Sequence, residues 1–389
     1  MERKSLLERI AEEMRISKVV ALLGPRQSGK TTLARRYTEI SGLPFDGELN
    51  YFDLEDPAHV ERLRNPKLAL ESLSGLVVID EIQLRPELFP VLRVLVDREG
   101  LGARFLILGS ASRDLIRQGA ETLAGRIGLV EVTPFGLPET AEADRLWMRG
   151  GFPPSFLAGS EVDSWRWRAN YIRTFLERDI PALGIQIPAA SLRRFWMMLA
   201  HYHGQTFNAS EIGKNLGVAD TTVKRYLDIL VGTFMVRRLA PWFENLGKRQ
   251  VKSPKIYFRD TGILHHLLGI PDMAAMVVHP KLGASWEGFA LEQAIRLSGT
   301  AEEGVFFWAV HNQGELDLLL IRDGKRHGFE MKYTDRPGIT ASQKLALECL
   351  RLDRLDIICP GKARYPLAEN IHVTGLDRLP EHFAESGFL

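Results

Sequence analysis

The stretch Gly24-Pro25-Arg26-Gln27-Ser28-Gly29-Lys30-Thr31, extended by Thr32, constrains this chain more than any other. It is a complete G-x-x-x-x-G-K-[ST], preceded by the apolar run Val19–Leu23 and followed by the helix-compatible segment Thr31–Tyr37. Strand, glycine loop and helix is the context in which such a loop wraps phosphates with its backbone N–H groups, and the helix N-terminus adds positive potential. Lys30 is expected to reach the β and γ phosphates and the Thr31 hydroxyl to bind Mg²⁺, so ATP and Mg²⁺ are the expected ligands.

Further short apolar runs follow at Asn50–Leu54, Leu76–Ile79, Phe105–Leu108 and Ile127–Val132, separated by helix-length stretches. Fully apolar runs of this length predict buried parallel strands in an α/β domain. Asp80 and Glu81 end the third run. Asp80 fits the metal-side carboxylate of P-loop enzymes, and Glu81 is a candidate to polarise the attacking water. The next run ends Leu108-Gly-Ser110-Ala-Ser112, where a hydroxyl can sense the γ-phosphate. Ser110 is preferred to Ser112.

The P-loop decapeptide ending Thr-Leu, together with Tyr51-Phe-Asp-Leu-Glu55, Ile79-Asp-Glu-Ile-Gln83, Leu108-Gly-Ser-Ala-Ser112, Leu123-Ala-Gly-Arg126 and Thr133-Pro-Phe135, resembles a bacterial and archaeal family of AAA-type ATPases. That family usually carries a C-terminal domain of long-unassigned function similar to PD-(D/E)XK nucleases. The resemblance implies a homo-oligomeric ring, taken as hexameric, in which a neighbour's arginine completes the ATP site. Arg126 is the candidate finger, with Arg113 and Arg178 as alternatives.

Downstream, Phe207–Gly217 and Val218–Leu230 read as helix, glycine turn, helix. Asp220 or Thr221 can cap the second helix, and Val223, Leu227 and Leu230 give it a buried stripe. Phe234–Leu239 and Ile256–Arg259 are expected as wing strands, which makes a winged-helix pattern. From Lys224 to Arg259 nine Lys or Arg face two acids, a local +7 in a chain whose net charge is +1. Lys224, Arg225, Lys248, Arg249 and Lys252 are therefore the candidate DNA contacts.

The C-terminal part holds Glu315-Leu-Asp317 at the start of one expected strand and Glu330-Met-Lys332 at the end of another. Residues two apart on a strand share a face, so Glu330 and Lys332 converge. The helix Trp286–Leu297 carries Glu287 and Glu292, about 140° apart around its axis, so one of them faces the site. The set is similar to a nuclease core, in which Glu287, Asp317 and Glu330 would hold Mg²⁺ and Lys332 would orient water. Glu287 fits the resembled family's Trp-Glu-Gly-Phe pattern, and Gln343 could add a polar contact.

A length of 389 residues predicts two or three domains. The expected boundaries are 1–135 for an AAA-type P-loop core, 136–205 for a helical lid, 206–262 for the winged helix and 263–389 for an α/β nuclease-like, restriction-endonuclease-like domain. Composition of 45% hydrophobic and 25% charged residues excludes disorder and fibrous folds. Two cysteines, Cys349 and Cys359, exclude a disulfide framework or zinc knuckle. The longest apolar run, Ile229–Val236, is broken by Gly232 and Thr233, and the N-terminus lacks a signal-peptide pattern, so no membrane partner and a cytoplasmic location are expected. The His201/His203 and His265/His266 pairs are expected as core or solvated residues because no spaced ligand accompanies them. The expected function is a Mg²⁺-dependent ATPase acting on DNA as a motor or switch. The alternative is an ATP-dependent switch that binds protein partners through a nuclease-like scaffold without its reaction.

Overall fold

The computed structural model describes residues 3–110, 123–244 and 250–385, so Ser112, Arg113, Lys248 and Arg249 lie outside the described residues. Its contacts divide the chain into two units: residues 1–134 with 174–187 and 228–234, and residues 135–173, 188–227 and 235–389.

In the first unit the five apolar runs are strands β1 (Val19–Leu23), β2 (Tyr51–Asp53), β3 (Gly75–Asp80), β4 (Ala103–Gly109) and β5 (Ile127–Glu131). They form a parallel sheet in the order β2-β3-β4-β1-β5. Both faces are covered, which is why the runs do not alternate with polar residues. Val19, Ala21, Val77 and Ile79 enter one core cluster, while Val20, Leu22, Leu76 and Val78 enter the other. Helix Lys4–Ile16 buries Leu6, Leu7, Ile10 and Met14 in the second of these clusters. Because β1, β3 and β4 are parallel, their carboxyl ends bring Gly24, Asp80 and Ser110 to one edge of the sheet, where open α/β sheets bind ligands.

The second unit is built on a mixed sheet whose described strands run β13-β14-β12-β11-β10-β9-β7-β8-β6. These are β6 (Gln205–Thr206), β7 (Val236–Pro241), β8 (Lys255–Phe258), β9 (Val305–Val310), β10 (Gly314–Arg322), β11 (Lys325–Met331), β12 (Arg354–Cys359), β13 (Arg364–Ala368) and β14 (Ile371–Gly375). Helices Ala209–Leu216 and Asp220–Gly232 flank Gly217, which adopts φ +71° and so turns the chain where a side chain would be strained. Antiparallel β7 and β8 follow, and β7 also pairs in parallel with β9, so one continuous sheet spans from β6 to β13.

The segment 136–205 divides between the two units. Its helix Ala143–Arg149 contributes Trp147, packed edge-on to Trp286 at 5.4 Å and bonded through Nε1 to Ser285 Oγ at 2.9 Å. Thus the core of the second unit is assembled from helices before residue 173 and from helix Leu282–Ser298 together.

Candidate functional site

At the edge of the first sheet, Gly24 follows β1 so closely beneath Val132 that a Cβ would lie 2.1 Å from the Val132 carbonyl oxygen. Gln27 (φ +61°) and Gly29 (φ +94°) turn the loop, and helix Lys30–Ile40 starts directly after it. Lys30 is buried, and its Nζ donates to the Gly24 and Pro25 carbonyls at 2.9 Å each. Burial pushes the ammonium down to about 8, opposed by the charges of Glu81 and Asp80. The Thr31 hydroxyl donates to Asp80 Oδ2 at 2.7 Å, and Tyr51 donates to the same oxygen at 3.2 Å. Burial raises Asp80, and the bond from Thr31 works against that rise.

Glu81 lies just past β3 in the left-handed region at φ +56°, with its N–H on Asp80 Oδ1 at 2.9 Å. Such backbone is costly for a non-glycine residue, and here it turns the second carboxylate away from the first. Ser110 Oγ donates to Glu81 Oε2 at 3.0 Å, and the Gln83 amide bonds both Ser110 and Glu81. The hydroxyl at the end of β4 therefore holds the candidate water-polarising acid.

Arg26 has a use that its motif position did not reveal. Its guanidinium donates to Asp179 Oδ1 at 2.6 Å, pairs with Glu55 and lies 3.8 Å from Glu81 Oε1. Burial alone would lower it, but Asp179, Glu81 and Glu55 together raise it well above the usual guanidinium value. Asp179 sits 153 residues away on the π-helical turn Phe175–Asp179, and no local pattern connects it to the loop. Of the arginine candidates, Arg126 pairs with Asp97 at 2.5 Å, and Arg178, 69% exposed, lies 3.8 Å from Glu55.

These residues fit ATP with Mg²⁺. The Gly24 approach leaves no room for a side chain, Ser28 Oγ is buried with no hydrogen-bond partner, and the Thr31–Asp80 pair supplies the hard oxygens a Mg²⁺ ion takes.

The second unit brings Glu287, Asp317, Glu330 and Lys332 together with residues that sequence reading missed. Lys255, on β8, places Nζ 3.6 Å from Glu287 Oε1 and 3.9 Å from Asp317 Oδ1, and it also pairs with Glu315. Tyr257, two residues along the same strand face, donates to Glu287 Oε1 at 2.5 Å. Lys332, one residue past β11, pairs with Glu330 Oε1 at 2.7 Å, and the Met331 N–H donates to Asp317 Oδ2 at 2.9 Å. Burial and the Asp317 charge push Glu287 up to about 7 and Glu330 up to about 8, against the pull of Lys255 and Lys332 respectively. Glu330 Oε2 and Gln343 Nε2 are buried with no partner. Glu292 faces elsewhere: Arg237 grips it at 2.7 and 3.1 Å, with Arg259 at 3.4 Å and Arg296 at 3.5 Å. Burial would raise Glu292, yet these cations hold it at about 2.

The basic run from 224 to 259 is therefore not one solvated face. Arg237 and Arg259 spend their charge on buried Glu292 and Lys255 on Glu287, Glu315 and Asp317, while Lys224, Arg225 and Lys252 are exposed. Of the two histidine pairs, His203 Nδ1 accepts from the Phe258 N–H, and His265 bonds Ser285 and the Met148 carbonyl. A different group, His327, Asp356 and His382, converges within 4.8 Å in the second unit. Asp356 already takes two bonds from Arg354, one from Thr374 and a contact of 2.6 Å with His327, so its oxygens serve a buried ion-pair network.

Comparison with known proteins finds an AAA domain over the segment that holds Lys30, Asp80 and Ser110. Residues 16–141 match the AAA domain model, residues 140–274 a domain of unknown function (DUF8612), and residues 282–379 another (DUF4143). Uncharacterized proteins of Mycobacterium bovis and Mycobacterium tuberculosis are each 50% identical over 381 residues, which is 97% of this chain and 85% of theirs. A Walker-type ATPase of Pyrococcus abyssi aligns with a TM-score of 0.49 at 16% identity, over 69% of this chain and 95% of that one. Among the described residues no helix is long and apolar enough to cross a membrane.

Proposed function

We propose that this chain, which belongs to one family with the two mycobacterial proteins and carries an AAA domain, hydrolyses ATP with Mg²⁺ and uses the cycle as a switch or motor on DNA. The observation that carries the hydrolytic part is the Thr31–Asp80 pair at 2.7 Å beside buried Lys30, with Glu81 turned aside and held by Ser110. The loop N–H groups and Lys30 bind the phosphates; Thr31 and Asp80 would hold Mg²⁺, which would supply positive charge against the transferred phosphoryl. Glu81 takes a proton from the attacking water, and Ser110 and Gln83 fix its direction. The protein acts in this reading as a hexameric ring, with Arg126 or Arg178 reaching the neighbour's nucleotide.

The DNA part is supported by the helix–turn–helix at 209–232, followed by the β7–β8 pair, with exposed Lys224, Arg225 and Lys252 nearby in sequence. In this reading the segment is a winged helix and the C-terminal unit a nuclease-like DNA-binding module. The test is the ATPase rate with duplex, branched and single-stranded DNA. Stimulation by any of them is expected; indifference to all would favour a switch on protein partners. That second reading has its own support, since Lys255 sits among the carboxylates that a nuclease would give to a metal.

A further inference from the structure

The carboxylate cluster holds four acids, Glu287, Glu315, Asp317 and Glu330, and two ammonium groups of the chain itself stand among them. Lys332 answers Glu330 at 2.7 Å. Lys255 lies among the other three, at 3.6 Å from Glu287, 3.9 Å from Asp317 and in contact with Glu315. It is not a side chain that has drifted in from solvent. Lys255 is 4% exposed, and its backbone is fixed by pairing with Thr206 on one side and Leu239 on the other. Tyr257 reinforces the arrangement by taking one oxygen of Glu287.

A divalent cation on Asp317 needs oxygens about 2.0–2.6 Å away. An ion bridging Asp317 and Glu287 would compete with the Lys255 ammonium for the same two oxygens, and two cations drawn to one pair of oxygens repel. The carboxylate chemistry fits a metal, because Glu330 Oε2 is buried without a partner, yet the space among Glu287, Glu315 and Asp317 already holds an ammonium. We propose that Lys255 is the resident cation of this cluster and excludes divalent metal from it. The inference rests on the carboxylate geometry alone and needs neither the ATPase nor the DNA reading. An open groove of about 450 Å³, lined by Tyr202, Gln205, Asn208, Glu211, Lys255 and Glu315, gives the ammonium and any incoming ion access to solvent.

The experiment uses the full chain without nucleotide and Mn²⁺ as the probe, read by electron paramagnetic resonance and by thermal unfolding. The wild type should show no Mn²⁺ binding that Asp317→Asn removes, and its Tm should not respond to Mn²⁺. Lys255→Met should unfold several degrees lower in EDTA, regain most of that in Mn²⁺ and bind the ion at least tenfold more tightly. Adding Asp317→Asn to that variant should abolish the rescue, and Lys255→Arg, which keeps the charge, should behave as the wild type. Micromolar Mn²⁺ binding by the wild type that Asp317→Asn removes would overturn the proposal, even if Lys255→Met does not fold. So would a Lys255→Met protein that folds and binds Mn²⁺ no better than the wild type.

Discussion

The two acids after β3 show how one backbone dihedral separates two roles. Asp80 stays in line with the strand and meets Thr31, whereas the φ of +56° at Glu81 turns its carboxylate to Ser110 and Gln83. Lys30→Ala should therefore abolish nucleotide binding in isothermal titration. Glu81→Gln should bind ATP with little loss but release phosphate about 10²–10⁴ times more slowly. Normal turnover by Glu81→Gln would remove that residue from the mechanism. A second expectation concerns His203 and His265, both pushed down to about 3, first of all by burial. The folded state binds fewer protons than the unfolded one between pH 3 and the unperturbed value near 6.5, so stability is present above that window and falls as the pH drops through it. Glu287 and Glu330 act in the opposite sense: their stabilisation is fully present below the usual carboxylate range and fades as the pH rises through about 7 and 8. Urea midpoints measured from pH 8 to pH 4 should expose both limbs, and His203→Gln should flatten the acid limb. Loop glycines, Lys30, Thr31, Asp80 and Asp317 were all legible because each stands in a motif whose spacing is set by local backbone. Lys255 and Asp179 were not, since each reaches its partners only through the tertiary fold.

Among the elements, period explains both what sequence reading found and what it missed. Strands β1, β3 and β4 stand out as apolar runs because both faces are buried, whereas the edge strands β2 and β5 are only partly covered. Strands after residue 350 left a weaker mark, since β13 is an exposed edge strand and His372 and Thr374 interrupt the apolar residues of β14. The basic stretch misled for a related reason. Alternation along β7 and β8 sends Arg237 and Lys255 to carboxylates, while Arg238 is exposed. Substituting Lys224, Arg225 and Lys252 by Ala should accordingly weaken duplex binding similarly across sequences. The logarithmic salt slope should become shallower by about 0.9 for each phosphate that is no longer neutralised. An unchanged slope would move the DNA path away from this segment. The helix–turn–helix has a separate weak point at Gly213, where a Cβ would come 2.7 Å from the Val218 carbonyl. Gly213→Ala should cost about 1–3 kcal/mol in denaturant unfolding through the shift that this close approach forces.

At the scale of the whole molecule, the two units are interleaved along the chain: the first takes 174–187 and 228–234 in addition to its first 134 residues. Those pieces are not decoration. Asp179 holds Arg26 of the loop, and Phe234 belongs to the same core cluster as Val19, Val77 and Phe105. A fragment ending at residue 134 should consequently bind ATP weakly and unfold without a sharp transition, whereas the full chain should show one. A fragment as cooperative as the full chain would show the late pieces to be dispensable. The same interleaving orders events during synthesis. About a hundred residues separate Pro134 from Phe234. At roughly 5–20 residues per second, the first 134 residues therefore wait on the order of 5–20 s on the ribosome, fully translated, before the last residues of their own core have been made.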